Sequence, residues 1–260
     1  MSQVAINLPE FSHAPIDTHS HFNHGSKYDC PDDVIHARSY EFVEAAYRNA
    51  NVTQVGISTF GSMQEKGKGI VEENEFLHKF IDEKEWVYQW VVVHPQQPET
   101  YKQAERMLSH PKALGIKIHP DCHGYNILDF ADDLFAFADA HKTFLLMHPQ
   151  QIPHMAKFAN KYPNMKLIIA HLGSKDHVDA IADAVHGNIY TDTSGILSAR
   201  NSGIEYAVQR VGSEKLLFGT DTYSFVFQFG RIALSNLPME DKENILFKNA
   251  MRLFPRAFGE

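Results

Sequence analysis

The sequence predicts a closed (β/α)8 barrel formed as a single domain over residues 1–260, and three observations predict it. Short apolar runs rich in Val, Ile, Leu and Phe recur eight times. Amphipathic segments at helical period separate them. Eight such units in about 250 residues is the usual size of that barrel. Strands that alternate with helices and are apolar on both faces pack as a parallel sheet. The rival architecture, a doubly wound open sheet, would carry a glycine-rich turn after its first strand, where histidines stand instead.

The predicted strands are 14–18, 53–59, 87–93, 113–118, 143–147, 166–170, 188–191 and 215–218. Each is apolar and bounded by turn residues. Between them, Val43, Ala46, Tyr47 and Ala50 fall at i, i+3, i+4 and i+7. Val178, Ile181, Ala182 and Val185 repeat that spacing, as do Ile204, Ala207, Val208 and Val211. Pro153 suits a first helical turn, and a final helix is expected over 239–253, ending before Pro255. The longest loops, 23–33 and 61–69, follow strands and so belong at the mouth of a barrel.

A formal charge of -8 and the lack of any Lys/Arg-rich run exclude a nucleic-acid surface. Residues 1–10 have neither the basic start nor the apolar core of a secretory signal, and no apolar run is long enough to cross a bilayer. Two cysteines, Cys30 and Cys122, without Cys-x-x-Cys spacing fit a reducing compartment, so a cytoplasmic protein is expected. The apolar stretch 223–229 (YSFVFQF) either lines a pocket or buries a homo-oligomer interface.

The chemistry collects at the strand ends. His19 and His21 leave the end of the first strand on one side, and neutral imidazole is a common ligand of divalent transition metals. His94 ends strand three, Lys117 and His119 strand four, His148 strand five and His171 strand six, and strand eight reaches Asp221. In a barrel these ends converge on one face. His94 beside Pro95 reads as a structural histidine, and His24 and His123 as solvated loop residues. His13, His36, His78, His110, His141 and His186 read as surface. Asp192 ends strand seven and suits a carboxylate that orients a ligand histidine.

These motifs, IDTHSH (16–21), GIKIHP (115–120), LLMHP (145–149), IIAHLGS (168–174), YTDTSG (190–195), LLFGTD (216–221) and ILFKNAMRLF (245–254), together resemble the metal-dependent amidohydrolase superfamily. The resemblance is to the branch that includes aminocarboxymuconate-semialdehyde decarboxylase. It implies His19, His21, His148 and Asp221 as ligands of one divalent ion, Zn²⁺ above all, and His171 and Asp221 as catalytic groups. Lys117 and His119 then contact substrate or stand behind the ligands. In binuclear relatives a lysine at this strand end is carboxylated and bridges two metals; Lys117 is read instead as an unmodified amine, with the second metal as the alternative.

Two reactions on a small-molecule substrate share this ligand set. Hydrolysis of an amide, lactone or ester by metal-activated water ranks first, and non-oxidative decarboxylation second. An arginine holding a substrate carboxylate would favour the second, with Arg200 and Arg231 as candidates. A barrel that binds metal without catalysis ranks last, because every ligand position is occupied by a competent residue.

Overall fold

The computed structural model describes residues 9–24, 39–195, 198, 202–222 and 225–259. Eight parallel strands stand in sequence order in one sheet: β1 (Ile16–Ser20), β2 (Gln54–Ile57), β3 (Val87–Val92), β4 (Ala113–Ile118), β5 (Phe144–Met147), β6 (Lys166–Ile169), β7 (Ile189–Asp192) and β8 (Leu216–Leu217). The sheet closes where the Thr18 N–H donates to the Phe218 carbonyl at 2.9 Å and the Asp221 N–H to the His19 carbonyl at 2.9 Å. The predicted (β/α)8 barrel is the observed fold, a single domain.

The boundaries move for physical reasons. Pro15 has no N–H to give a ladder, so β1 starts at Ile16, two residues later than predicted. Lys215 ends a 3₁₀ turn, Ser213–Lys215, which shortens β8. Residues 61–69 are not an open loop: Phe60–Met63 and Glu65–Gly67 form 3₁₀ turns. The C-terminal helix contains a π-helical segment, Asn244–Lys248, and Pro255 opens one more helical turn, Pro255–Phe258, at a position that tolerates its missing N–H. Within 223–229 the described part belongs to the helix Phe225–Ala233, which buries Phe225 and Gln228 and exposes Val226 and Phe227. No helix among the described residues is long and apolar enough to cross a membrane.

The barrel interior is organised around Trp90. Its indole N–H crosses β2 to donate to the Thr18 carbonyl at 2.8 Å. That crossing needs glycine on both flanking strands. A Cβ at Gly56 would stand 2.9 Å from both the indole nitrogen and the Thr18 oxygen, and one at Gly115 2.9 Å from the indole ring. Phe254 meets Trp90 edge-on at 5.9 Å and closes the floor. Burial of such rings supplies the main driving force, while the mouth is left to polar groups.

The substitution Gly56→Ala should lower stability by about 1–3 kcal/mol through overpacking, read as a lower denaturant midpoint at unchanged slope. A midpoint equal to that of the parent would mean that the indole has room to retreat.

Candidate metal centre

His19 and His21 leave the end of β1 on one side, toward Asp221, whereas the register of β1 on β2 shifts after Asp17, whose carboxylate faces Tyr47 of the helix Tyr40–Asn49. His19 and His21 are buried, and each has one ring nitrogen already committed. His19 Nδ1 lies 2.9 Å from Asp192 Oδ2, and His21 Nδ1 lies 2.8 Å from the Ser58 carbonyl. A carbonyl or carboxylate only accepts, so both Nδ1 atoms carry the proton and both Nε2 atoms keep a lone pair. The two lone pairs face Asp221: its Oδ1 is 3.2 Å from His21 Nε2 and 3.9 Å from His19 Nε2.

The Lys117 amine, 3.0 Å from His19 Nε2, serves that lone pair, but it leaves His21 Nε2 and Asp221 Oδ1 facing each other at 3.2 Å, which calls for a cation between them or an extra proton on the imidazole. Two imidazole nitrogens and a carboxylate, with both rings fixed from behind, fit a divalent ion. Asp221 sits in the left-handed region at φ 56° and is pinned by its N–H on the His19 carbonyl. Thr222 Oγ1 accepts from the His21 N–H at 2.7 Å and donates to the His21 carbonyl at 2.6 Å. Behind them the fully buried Asp17 accepts from the His19 N–H, the Thr220 N–H and hydroxyl, and the Tyr47 hydroxyl. Burial nevertheless raises the Asp17 carboxyl to about 7.

A second group of donors, His19, His171 and Asp192, lies close by. It is a hydrogen-bonded network rather than another cation site. Asp192 Oδ1 accepts from the His171 N–H at 3.0 Å, the Ser194 N–H at 2.9 Å and the Ser194 hydroxyl, while Oδ2 holds His19. Burial opposes the charge on Asp192, but His19, His171 and Ser194 outweigh it and hold the carboxyl well below its usual range. Asp221 is held low in the same sense: burial acts against its charge, and His21, His19 and His171 more than compensate.

Lys117 is fully buried, with its Nζ 3.0 Å from His19 Nε2. Burial pulls its amine down to about 8, against the opposing charges of Asp221 and Asp192. His119 and His148 stack face to face, with ring centres 3.8 Å apart. His119 caps the helical turn Pro120–His123 and lies 3.5 Å from Cys122 Sγ. His148 lies outside the close donor group; its Nε2 is 3.6 Å from Asp121 Oδ2 and its ring meets His171 at 5.1 Å. Burial, then the charge of Lys117, keep His148 neutral, with its pKa lowered to about 2; burial and Lys117 likewise take His19 down to about 3.

The structure therefore brings His19, His21, Asp221, Lys117 and His171 into one cluster and leaves His148 and His119 stacked at its rim. Several surface assignments fail. His123 is buried, with Nε2 2.9 Å from the Ser62 carbonyl; His78 holds Gln89; and His24 stacks on Phe76 while facing the buried Glu73 at 3.0 Å. The structural reading of His94 holds, since its Nδ1 accepts from the Gln96 N–H. Arg231 is tied to Glu205, whereas Arg200 and Cys30 lie outside the described residues. Sequence reasoning missed Ser194, two residues beyond Asp192, although the spacing that unites His19 with His21 also places this pair on one side.

Replacing the carboxylate behind His19 by an amide, Asp192→Asn, should weaken divalent-metal affinity about 10–100-fold, measured by competition with a chromophoric chelator. Unchanged affinity would mean that the ring needs no anchor.

The Amidohydrolase family model matches residues 16–256. No curated protein sequence matches. Solved structures match throughout the fold. A 2,6-dihydroxybenzoate decarboxylase from Rhizobium aligns with a TM-score of 0.74 at 13% identity, over 93% of this chain and 98% of that one. The 5-carboxyvanillate decarboxylase from Sphingomonas paucimobilis gives 0.72 at 13%, over 93% and 99%. A dihydroxybenzoic acid decarboxylase from Polaromonas, with bound manganese and the inhibitor 2-nitroresorcinol, gives 0.70 at 15%, over 93% and 97%. With 241 consecutive positions under one family model (16 to 256 inclusive) and the donor cluster at the mouth of the barrel, the chain belongs to the amidohydrolase family.

Proposed function

We propose that this protein is a metal-dependent decarboxylase of a small carboxylic acid bearing a hydroxyl or enol beside its carboxylate. The reading reverses the order expected from sequence, which placed hydrolysis first. The observation that carries it is Lys117, a buried amine on the wall of the donor cluster. A substrate carboxylate entering there meets a ready counter-charge, which a neutral amide, ester or lactone does not require. The barrel's likeness to three hydroxybenzoate-type decarboxylases supports the reading at the level of fold.

His19, His21 and Asp221 would hold one divalent ion, with His148 a neighbouring imidazole whose ring adjoins His171. Bound there, the ion would supply Lewis-acid polarisation of substrate oxygen atoms. Nitrogen and carboxylate donors accept zinc and manganese alike. Loss of carbon dioxide leaves the bonding pair on the substrate carbon, which must then take a proton. Asp221, the most exposed of the three donors at 18%, and His171 would handle that proton. Lys117 orients the departing carboxylate, and the stacked His119–His148 pair offers an aromatic wall to a planar substrate.

Purified protein supplied with manganese or zinc should release carbon dioxide from 2,6-dihydroxybenzoate or 5-carboxyvanillate, and a chelator should stop it. The Asp221→Asn variant should lose about 10²–10⁴ in kcat. Turnover of amides, lactones or esters with no carbon dioxide from any hydroxy acid would restore the hydrolytic reading.

A further inference from the structure

The contacts around Ser194 Oγ determine where every proton in the network sits. The hydroxyl oxygen lies 2.8 Å from His171 Nδ1 and 3.1 Å from His19 Nδ1, and it contacts Asp192 Oδ1. The His19 Nδ1 proton is taken by Asp192 Oδ2. Ser194 has one hydrogen to give. Given to His171, it would leave hydroxyl oxygen and carboxylate oxygen in contact with no proton between them, a costly arrangement in a buried site. Given to Asp192 Oδ1, it leaves the oxygen free to accept, and His171 Nδ1 must supply the proton. Only the second arrangement satisfies all the close contacts. Backbone geometry reinforces it, because the His171 N–H is bound to the same Asp192 oxygen while the residue sits at φ 62°.

We propose that Ser194 is a positioning residue that relays the Asp192 carboxylate to His171, fixing the imidazole as its Nδ1–H tautomer. The opposite nitrogen, Nε2, then carries a lone pair and makes no protein hydrogen bond among the described residues. His171 therefore meets a substrate as an acceptor. It takes a proton from a substrate hydroxyl before it has one to give, and in its neutral form it cannot donate to an oxyanion from the mouth side. Its part in the reaction rests on the decarboxylase reading; the tautomer does not.

Long-range proton–nitrogen spectra of the metal-free protein labelled with nitrogen-15, taken at mildly alkaline pH and assigned with His171→Gln, read the tautomers directly. Both His19 and His171 should show a protonated Nδ1 and an unprotonated Nε2. In Ser194→Ala the His171 proton should move to Nε2 while His19, held by Asp192 directly, keeps its pattern, and Ser194→Thr should restore the parent spectrum. An Nε2–H His171 in the parent, an unchanged His171 in Ser194→Ala, or a loss of the His19 pattern in the same variant overturns the proposal. The last outcome would mean that the hydroxyl merely supports the fold. No substrate enters the measurement, so inactivity toward hydroxy acids leaves the tautomer standing, and an Nε2–H His171 leaves the decarboxylase reading standing.

Discussion

One buried carboxylate holds the mouth of this barrel together. Asp192 ends β7 with no solvent exposure and collects donors from three strands: the ring of His19 from β1, the backbone of His171 beyond β6, and its own neighbour Ser194. A bare carboxylate in that setting would be costly, and four hydrogen bonds make it tolerable. The consequence is directional. Because an ionised carboxylate only accepts, each imidazole in reach must turn its proton inward and its lone pair outward. The fold prepares a set of donors for a cation by placing an anion behind them.

Much of this was legible in the sequence because it rests on local patterns. The eight apolar runs became eight strands, and the two-residue spacing of His19 and His21 placed both rings on one side. What the sequence concealed was partnership. That Asp192 orients a ligand histidine was readable from its place at the end of strand seven, but not that the histidine is His19, 173 residues away; and the carbonyl that fixes His21 belongs to Ser58, which nothing in the sequence marked for the role. The surface readings of His123 and His24 failed for the same reason, whereas His141 and His186 are exposed as expected. His123 is buried against His94 and Tyr125 with its Nε2 on the Ser62 carbonyl, and His24 is held by Phe76 and Glu73 from a distant helix. Composition says what a residue can do; the partner that makes it do so comes from elsewhere in the chain.

The two ends of the barrel solve opposite problems. At the floor, Lys112, Lys166 and Lys215 lie over Tyr88, Phe144 and Tyr190, each ring on the strand next to the lysine's own segment. Lys112 and Lys215 also donate to backbone carbonyls. These cations are spent on packing, and Phe254 seals the space beneath Trp90. At the mouth, the Lys117 amine instead meets His19 within the donor cluster. Stability sits at one end of the barrel and chemistry at the other.

The seam between β8 and β1 gives the site an origin in time. His21 and Thr222 are 201 positions apart, and Asp17 and Thr220 are 203 apart, yet the donors meet only through bonds across that seam. No partial stack of βα units, however well packed, contains a cation site of this composition. Non-local contacts of this span form late and slowly. The nascent chain is therefore unable to capture a metal ion in this pocket until the ring has shut. Any metal uptake at these donors during refolding would report that the seam has closed.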